Sequence, residues 1–200
     1  MSAPAKIAVL TLGASNHANI CSGLARAGGS PYALRAPRDL YRAGAVVIPG
    51  VANVAFLVDA LDAAGLRGAL LRAMQSGMPA LGVCAGFQLC FDASEEAPQR
   101  RLLGLFAGHV RALRAPKLPH MGWNRLQIKK NSLLLDGISS GTCFYFAHSF
   151  AAPSGSYTIA ECEGFSAAIA RDNFYGVQFH PEKSAEAGLR LLKNFEALCR

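Results

Sequence analysis

The sequence predicts an α/β fold: a single domain over residues 1–200 with a mainly parallel twisted sheet, flanking helices and an antiparallel extension in the second half. In the first half, short β-branched runs alternate with segments of helical period. In the second half, strand-like runs follow one another between Gly, Pro, Asn and Ser. The 200 residues are 52% hydrophobic and 16% charged, enough apolar material for one packed core and too much for a disordered or collagen-like chain.

Taken in order, a strand is expected near Lys6–Leu12, then a helix through Ile20 and Leu24 that stops at Gly28-Gly29. A strand near Ala45–Ile48, helices around Val54–Met74 and a strand at Ala80–Val83 continue the βαβα rhythm of a parallel sheet. Strand-like segments follow at His109–Leu113, Arg125–Ile128, Cys143–His148, Tyr157–Glu161, Ser166–Ala170 and Tyr175–Phe179. Their turn-rich spacing predicts hairpins added to the same sheet. Ser184 is placed to cap a last helix whose Leu191, Leu192, Phe195, Leu198 and Cys199 share one face.

The stretch from Ala73 to Phe91 carries no charge, yet it holds Pro79, Gln75, Ser76 and Gln88, which do not suit a lipid-facing helix. No basic region precedes the apolar run Ile7–Leu10, so neither a signal peptide nor a membrane span is expected and the protein is placed in the cytoplasm. The six cysteines lack Cys-x-x-Cys or zinc-type spacing and read as thiols of a reducing compartment. Neither a metal nor a cofactor is expected.

Twenty basic against thirteen acidic residues give a formal charge of +7. The segment from Ala97 to Leu135 contains Arg100, Arg101, Arg111, Arg114, Lys117, Arg125, Lys129 and Lys130 and no carboxylate. Stacking aromatics beyond Trp123 and a nucleic-acid-binding signature are both missing there, so a solvated face or a docking surface for an acidic partner is expected instead.

Reactive chemistry is concentrated in two short motifs. Gly82-Val83-Cys84-Ala85-Gly86 follows a buried-strand pattern and precedes the helix-compatible run Phe87–Phe91. This is the spacing of a nucleophile elbow, in which a sharp strand-to-helix turn lifts a reactive side chain above the sheet. Glycines permit the turn, the helix start favours thiolate over thiol, and the Ala85 N–H is a candidate oxyanion donor. In Gly176-Val177-Gln178-Phe179-His180-Pro181-Glu182, residues two apart in an extended chain project to one side, so Glu182 can orient His180 towards the Cys84 sulfur. A third segment, Ile48-Pro49-Gly50-Val51-Ala52, turns at the carboxyl end of a parallel-type strand, where the sites of such sheets gather.

Together Pro49-Gly50-Val51, Gly82-Val83-Cys84-Ala85-Gly86-Phe87-Gln88 and His180-Pro181-Glu182 resemble class I (triad) glutamine amidotransferases. Pro119-His120-Met121-Gly122-Trp123-Asn124, Tyr145-Phe146-Ala147-His148-Ser149-Phe150 and Glu182-Lys183-Ser184 narrow the resemblance. They are similar to the glutaminase subunits of imidazole glycerol phosphate synthase, over essentially the whole chain. The resemblance implies Cys84 as nucleophile, His180 as general base and acid, Glu182 as its orienting carboxylate, and the Val51 and Ala85 amides as oxyanion hole. It implies glutamine binding by Gly50, Gln88, Glu96, His148, Ser149 and Phe150. It also implies a heterodimer with a (βα)8-barrel cyclase that uses the ammonia in histidine biosynthesis, met through Asn16, Pro119, His120, Met121, Trp123 and Lys183.

The chain departs from the family pattern at Thr11, usually acidic, at Ser15, usually Gly, and at Ala52, commonly Gly. Alanine at 52 is expected to hinder a peptide flip that aims the Val51 amide at the oxyanion. A paralogous subunit feeding ammonia to another pathway, such as aminated surface-sugar synthesis, is the alternative reading. A catalytically silent scaffold is a third, which the intact Cys84, His180 and Glu182 disfavour.

Overall fold

A computed structural model describes residues 3–12, 17–50, 53–115 and 117–200. Asn16, Val51 and Ala52, with the roles expected of them, lie outside the described residues, as does Ser15.

Strand β1 (Lys6–Leu10) is followed by α1 (His17–Arg26), β2 (Ser30–Leu34), β3 (Ala45–Gly50), α2 (Val54–Ala63), α3 (Leu66–Gln75), β4 (Ala80–Cys84) and the one-turn helix α4 (Ala85–Gln88). Then come β5 (Phe91–Ser94), β6 (Phe106–Ala112), β7 (His120–Arg125), β8 (Gln127–Ile128), β9 (Cys143–His148), β10 (Phe150–Ala151), β11 (Thr158–Cys162), β12 (Phe165–Arg171), β13 (Phe174–Val177) and α5 (Ala185–Leu198).

The main sheet runs β2-β1-β3-β4-β13-β12-β11-β8. The pairs from β2 through β13 are parallel, and those of β12, β11 and β8 are antiparallel, so the second half does extend the first half's sheet. Alternation along the parallel strands serves both faces. Ile7 and Val9 pack with Ile20, Leu24, Leu191, Leu192 and Phe195 of α1 and α5, while Ala8, Leu10, Val46 and Ile48 meet Leu57, Val58, Leu61, Leu66 and Leu70 of α2 and α3.

Several expectations need correction. Strand β2 was not foreseen because Ser30-Pro31 reads as a turn; proline is tolerated there because β2 is an edge strand. The helices around Val54–Met74 are present as expected, two of them, divided by Gly65 in the left-handed conformation at φ 64°. The helix after Cys84 lasts one turn, and the chain then leaves as β5. The expected hairpins do not all join the main sheet: β10-β6-β5 and β7-β9 form two small sheets of their own. Among the described residues, no helix is long and apolar enough to cross a membrane.

Candidate active site

The register places Gly50 of β3 beside Cys84 of β4, and Val177 of β13 beside Val83. The carboxyl ends of three adjacent parallel strands therefore meet at one point, and the chain segments leaving them carry the polar groups. At that point Cys84 adopts φ 54° and ψ −113°, a conformation that costs a non-glycine residue energy and persists only where the surroundings impose it. The surroundings are backbone. A Cβ on Gly86 would stand 1.8 Å from the Ile48 carbonyl oxygen, and one on Gly82 would stand 2.8 Å from the Gly86 oxygen. The glycines let the elbow sit directly on β3, so the strained turn and its cysteine cannot relax sideways.

The loop after β13 delivers His180 and Glu182. The His180 Nδ1–H donates to Glu182 Oε1 at 2.8 Å, both side chains being almost fully buried. That bond leaves Nε2 as the free ring nitrogen, and the His180 ring shares the cleft with the Cys84 side chain. Burial opposes a charge on His180, but Cys84 and Glu182 outweigh it and hold the imidazole pKa up at about 9. The ring is further fixed through the backbone, since the His180 N–H donates to the Tyr145 carbonyl on β9. Ser184 clamps the same junction: its Oγ accepts from the Tyr145 N–H at 3.0 Å and donates to the His180 carbonyl at 2.6 Å. Ser184 thus stands at the N-cap position of α5 as expected, yet its side chain makes no cap bond and ties β9 to the His180 loop instead.

A cleft of about 390 Å³ opens over the sulfur, lined by Asn53, Cys84, Ala85, Gln88, Glu96, Pro119, Ala147, His148, Ser149, Phe150, His180 and Lys183. Most of the sequence-predicted residues are therefore assembled around one space. Glu182 lies behind His180, and Gly50 lies beneath as the β3 partner of Cys84. Ala85 is the first residue of α4, so its N–H belongs to the amides that no preceding helical turn receives. With only four residues in α4, the local amides rather than a summed helix dipole act on Cys84.

Glu96 reaches the cleft from the loop after β5, and its Oε2 accepts from the Val54 N–H at 2.8 Å. It supplies the carboxylate that the first turn of α2 lacks in its own sequence. On the opposite wall His148 Nδ1–H donates to the Phe150 carbonyl at 2.8 Å, and Gln88 Nε2 donates to the same oxygen at 2.7 Å. Burial, with the neighbouring His120 and His180 rings disfavouring a further positive charge, holds the His148 pKa down at about 4 against that hydrogen bond. His148 is therefore neutral at pH 7 with its proton on Nδ1, and His120 Nδ1–H donates to its Nε2 at 3.3 Å. Asn124 completes the line by donating to His120 Nε2 at 3.1 Å.

His120 and Asn124 occupy the inward face of β7, so Met121 and Trp123 take the other face, 61% and 53% exposed. Trp123 packs edge-on against Tyr145, whose ring also carries Lys183 Nζ at 5.8 Å from its centroid. Of the described residues expected at the interface, Met121 and Trp123 form an exposed apolar face, Pro119 and Lys183 line the cleft, and His120 lies on the inward face of β7. Of the basic segment, Arg100 pairs with Asp59 and Lys129 with Glu161.

Reasoning from sequence alone missed Gln178, Asn53, Ala147 and Ser184 as parts of the site. Gln178 was inside a quoted motif, and Asn53 carries the ordinary signal of an N-cap before an apolar run, which the structure realises through its bond to the Ala55 N–H. Ala147 contributes only a carbonyl, 3.8 Å from the Cys84 sulfur, and no side-chain pattern announces that.

The family model for class-I glutamine amidotransferases matches residues 9–197. The chain is 42% identical over 205 residues to imidazole glycerol phosphate synthase subunit HisH of Thermococcus kodakarensis, covering 96% of this chain and all of that one. It is 40% identical over 194 residues to the Escherichia coli protein of the same name, covering 94% and 97%. A crystal structure of a glutamine amidotransferase superposes with a TM-score of 0.78 at 17% identity, covering 96% and 98%, and the structure of PurLQS from Thermotoga maritima with 0.77 at 16%, covering 97% and 98%. With the elbow, its histidine and its carboxylate assembled in one cleft, the chain belongs to the class-I glutamine amidotransferase family.

Proposed function

We propose that this chain is the glutaminase subunit of an imidazole glycerol phosphate synthase, releasing ammonia from L-glutamine for a cyclase subunit in histidine biosynthesis. One observation carries the chemistry: Cys84 on its strained turn lines the same cleft as the ring of His180, whose Nδ1 is held by Glu182. The identity of about 40% to HisH proteins across nearly the whole chain supports the pathway.

In this mechanism the imidazolium of His180 stands beside the Cys84 thiolate. The sulfur attacks the carboxamide carbon of glutamine, and the Ala85 amide, with that of Val51, takes the oxyanion. His180 protonates the leaving nitrogen, ammonia departs, and a γ-glutamyl thioester remains. Water activated by His180 then adds to the thioester carbon, the C–S bond breaks, and glutamate leaves with thiolate restored. Both Gln88 amide hydrogens are committed, to Phe150 and Gln178, so its oxygen is the group it offers to the substrate's carboxamide. Glu96 is positioned for the α-ammonium, and the Ser149–Phe150 backbone, braced by His148, for the α-carboxylate.

The partner is a (βα)8-barrel cyclase. The exposed Met121 and Trp123, with Pro119, His120 and Lys183, form the surface that meets it, and Asn16 is assigned to that contact by family resemblance alone. The protein works in the cytoplasm, in keeping with its six free thiols. The test is glutamate release by the purified chain, alone and with the cyclase and its nucleotide substrate, with Cys84→Ala as blank. Stimulation by the cyclase that vanishes in the blank is expected. Activity indifferent to that cyclase would favour the paralogue of another pathway, and none in either state would refute a glutaminase.

A further inference from the structure

We infer that Gln178 is a further catalytic residue, donating an amide N–H to the Cys84 sulfur and stabilising its thiolate. The inference rests on the glutaminase reading above for its role in turnover, though not for its geometry. Gln178 is fully buried beneath the cleft, and its Nε2 lies 3.7 Å from Cys84 Sγ.

At that distance everything depends on which end of the amide faces the sulfur, and a chain of obligate polarity decides it. The Phe150 carbonyl is an acceptor and nothing else, so the Gln88 group 2.7 Å from it is the NH2. The same nitrogen lies 2.8 Å from the Gln178 side chain, and with its second hydrogen it requires an oxygen there. Gln178 Oε1 is thereby fixed towards Gln88, and its NH2 is the end turned to Cys84. Flipping either amide sets two donors or two acceptors against each other in a buried place, where an unsatisfied polar group is costly.

A backbone carbonyl on the substrate wall therefore dictates, through two side chains, that the sulfur sees a donor. Cys84 Sγ has the Ala147 carbonyl at 3.8 Å, which suits a thiol, and the Gln178 N–H at 3.7 Å, which suits a thiolate. In turnover the donor acts twice. It favours the thiolate before attack, and it meets the electron pair that returns to sulfur when water adds to the thioester and the C–S bond breaks, His180 taking the proton from water. With α4 too short to supply a helix dipole, this side-chain donor takes over part of the task.

The test is the rate of Cys84 alkylation by iodoacetamide against pH, from about pH 6 to about pH 10, read by mass spectrometry of the Cys84 peptide. Gln178→Met removes the donor at nearly constant shape. Gln178→Glu keeps the acceptor for Gln88 and replaces only the end facing sulfur. In both, the midpoint should move to higher pH, so that labelling near pH 7 slows about tenfold while the high-pH plateau is kept. An unchanged midpoint in either folded variant, or a plateau that falls in step with the rate near pH 7, would overturn the donor role. Glutamate release by the unsubstituted chain, assayed in parallel, separates failure of this inference from failure of the glutaminase reading.

Discussion

Glu182 Oε1 lies 2.8 Å from His180 Nδ1, and both side chains are sealed from solvent. The carboxylate therefore sets the ring's tautomer and helps to keep it protonated beside the sulfur. Replacing it by the neutral isostere in Glu182→Gln should lower kcat/KM for glutamine by about 10²-fold or more. The alkaline limb of the rate profile should also move to lower pH, because His180 loses one of the groups that raise its pKa to about 9. Steady-state rates across pH check both; an unmoved limb would deny the carboxylate its electrostatic part.

The bond from the Val54 N–H to Glu96 gives that carboxylate a structural task, which substitution can separate from the glutamine binding proposed for it. Glu96→Ala should raise KM at least tenfold and cost about 1 kcal/mol of stability, since the start of α2 loses its acceptor and its compensating charge. Glu96→Gln keeps an acceptor oxygen, so it should recover most of the stability yet still raise KM. Urea unfolding and glutaminase kinetics on the two variants measure the split.

His148 and His180 bias stability in opposite pH ranges. Folding depresses the His148 pKa from 6.5 to about 4, so as pH falls through that window the unfolded chain takes up a proton that the folded chain refuses. Acidification across the window should cost on the order of 3 kcal/mol from this group, and a folded His148→Asn variant should show a shallower acid limb in urea midpoints. His180 is raised to about 9, so its contribution is complete below 6.5 and is lost as pH rises through about 9. Equal acid limbs in the two proteins would show that His148 is not held neutral.

The sequence carried the site wherever function is written into contiguous residues. The glycines around Cys84, the His-Pro-Glu run and the βαβ rhythm each follow from local geometry, and the structure assembles them as one cleft. What it did not carry depends on distant pairing. That Gln88 hands its second hydrogen to Gln178, ninety positions away, is decided only when β4 and β13 lie side by side. Ser184 reads locally as a helix cap, and tertiary contact turns its hydroxyl to Tyr145 and His180 instead. The helical pattern from Phe87 to Phe91 likewise yields after one turn, because Phe91 is claimed by pairing with Phe106.

The central claim is that Cys84 alone is armed as a nucleophile towards glutamine. Burial pushes the thiol pKa values of Cys21, Cys90, Cys162 and Cys199 upward, so these are poor competitors. The most direct measurement is exposure of the chain to a diazo-ketone analogue of glutamine, with the adduct located by mass spectrometry. The account predicts one adduct, on Cys84, suppressed by glutamine and absent in Cys84→Ala. Labelling spread over the other cysteines, or indifferent to glutamine, would contradict it.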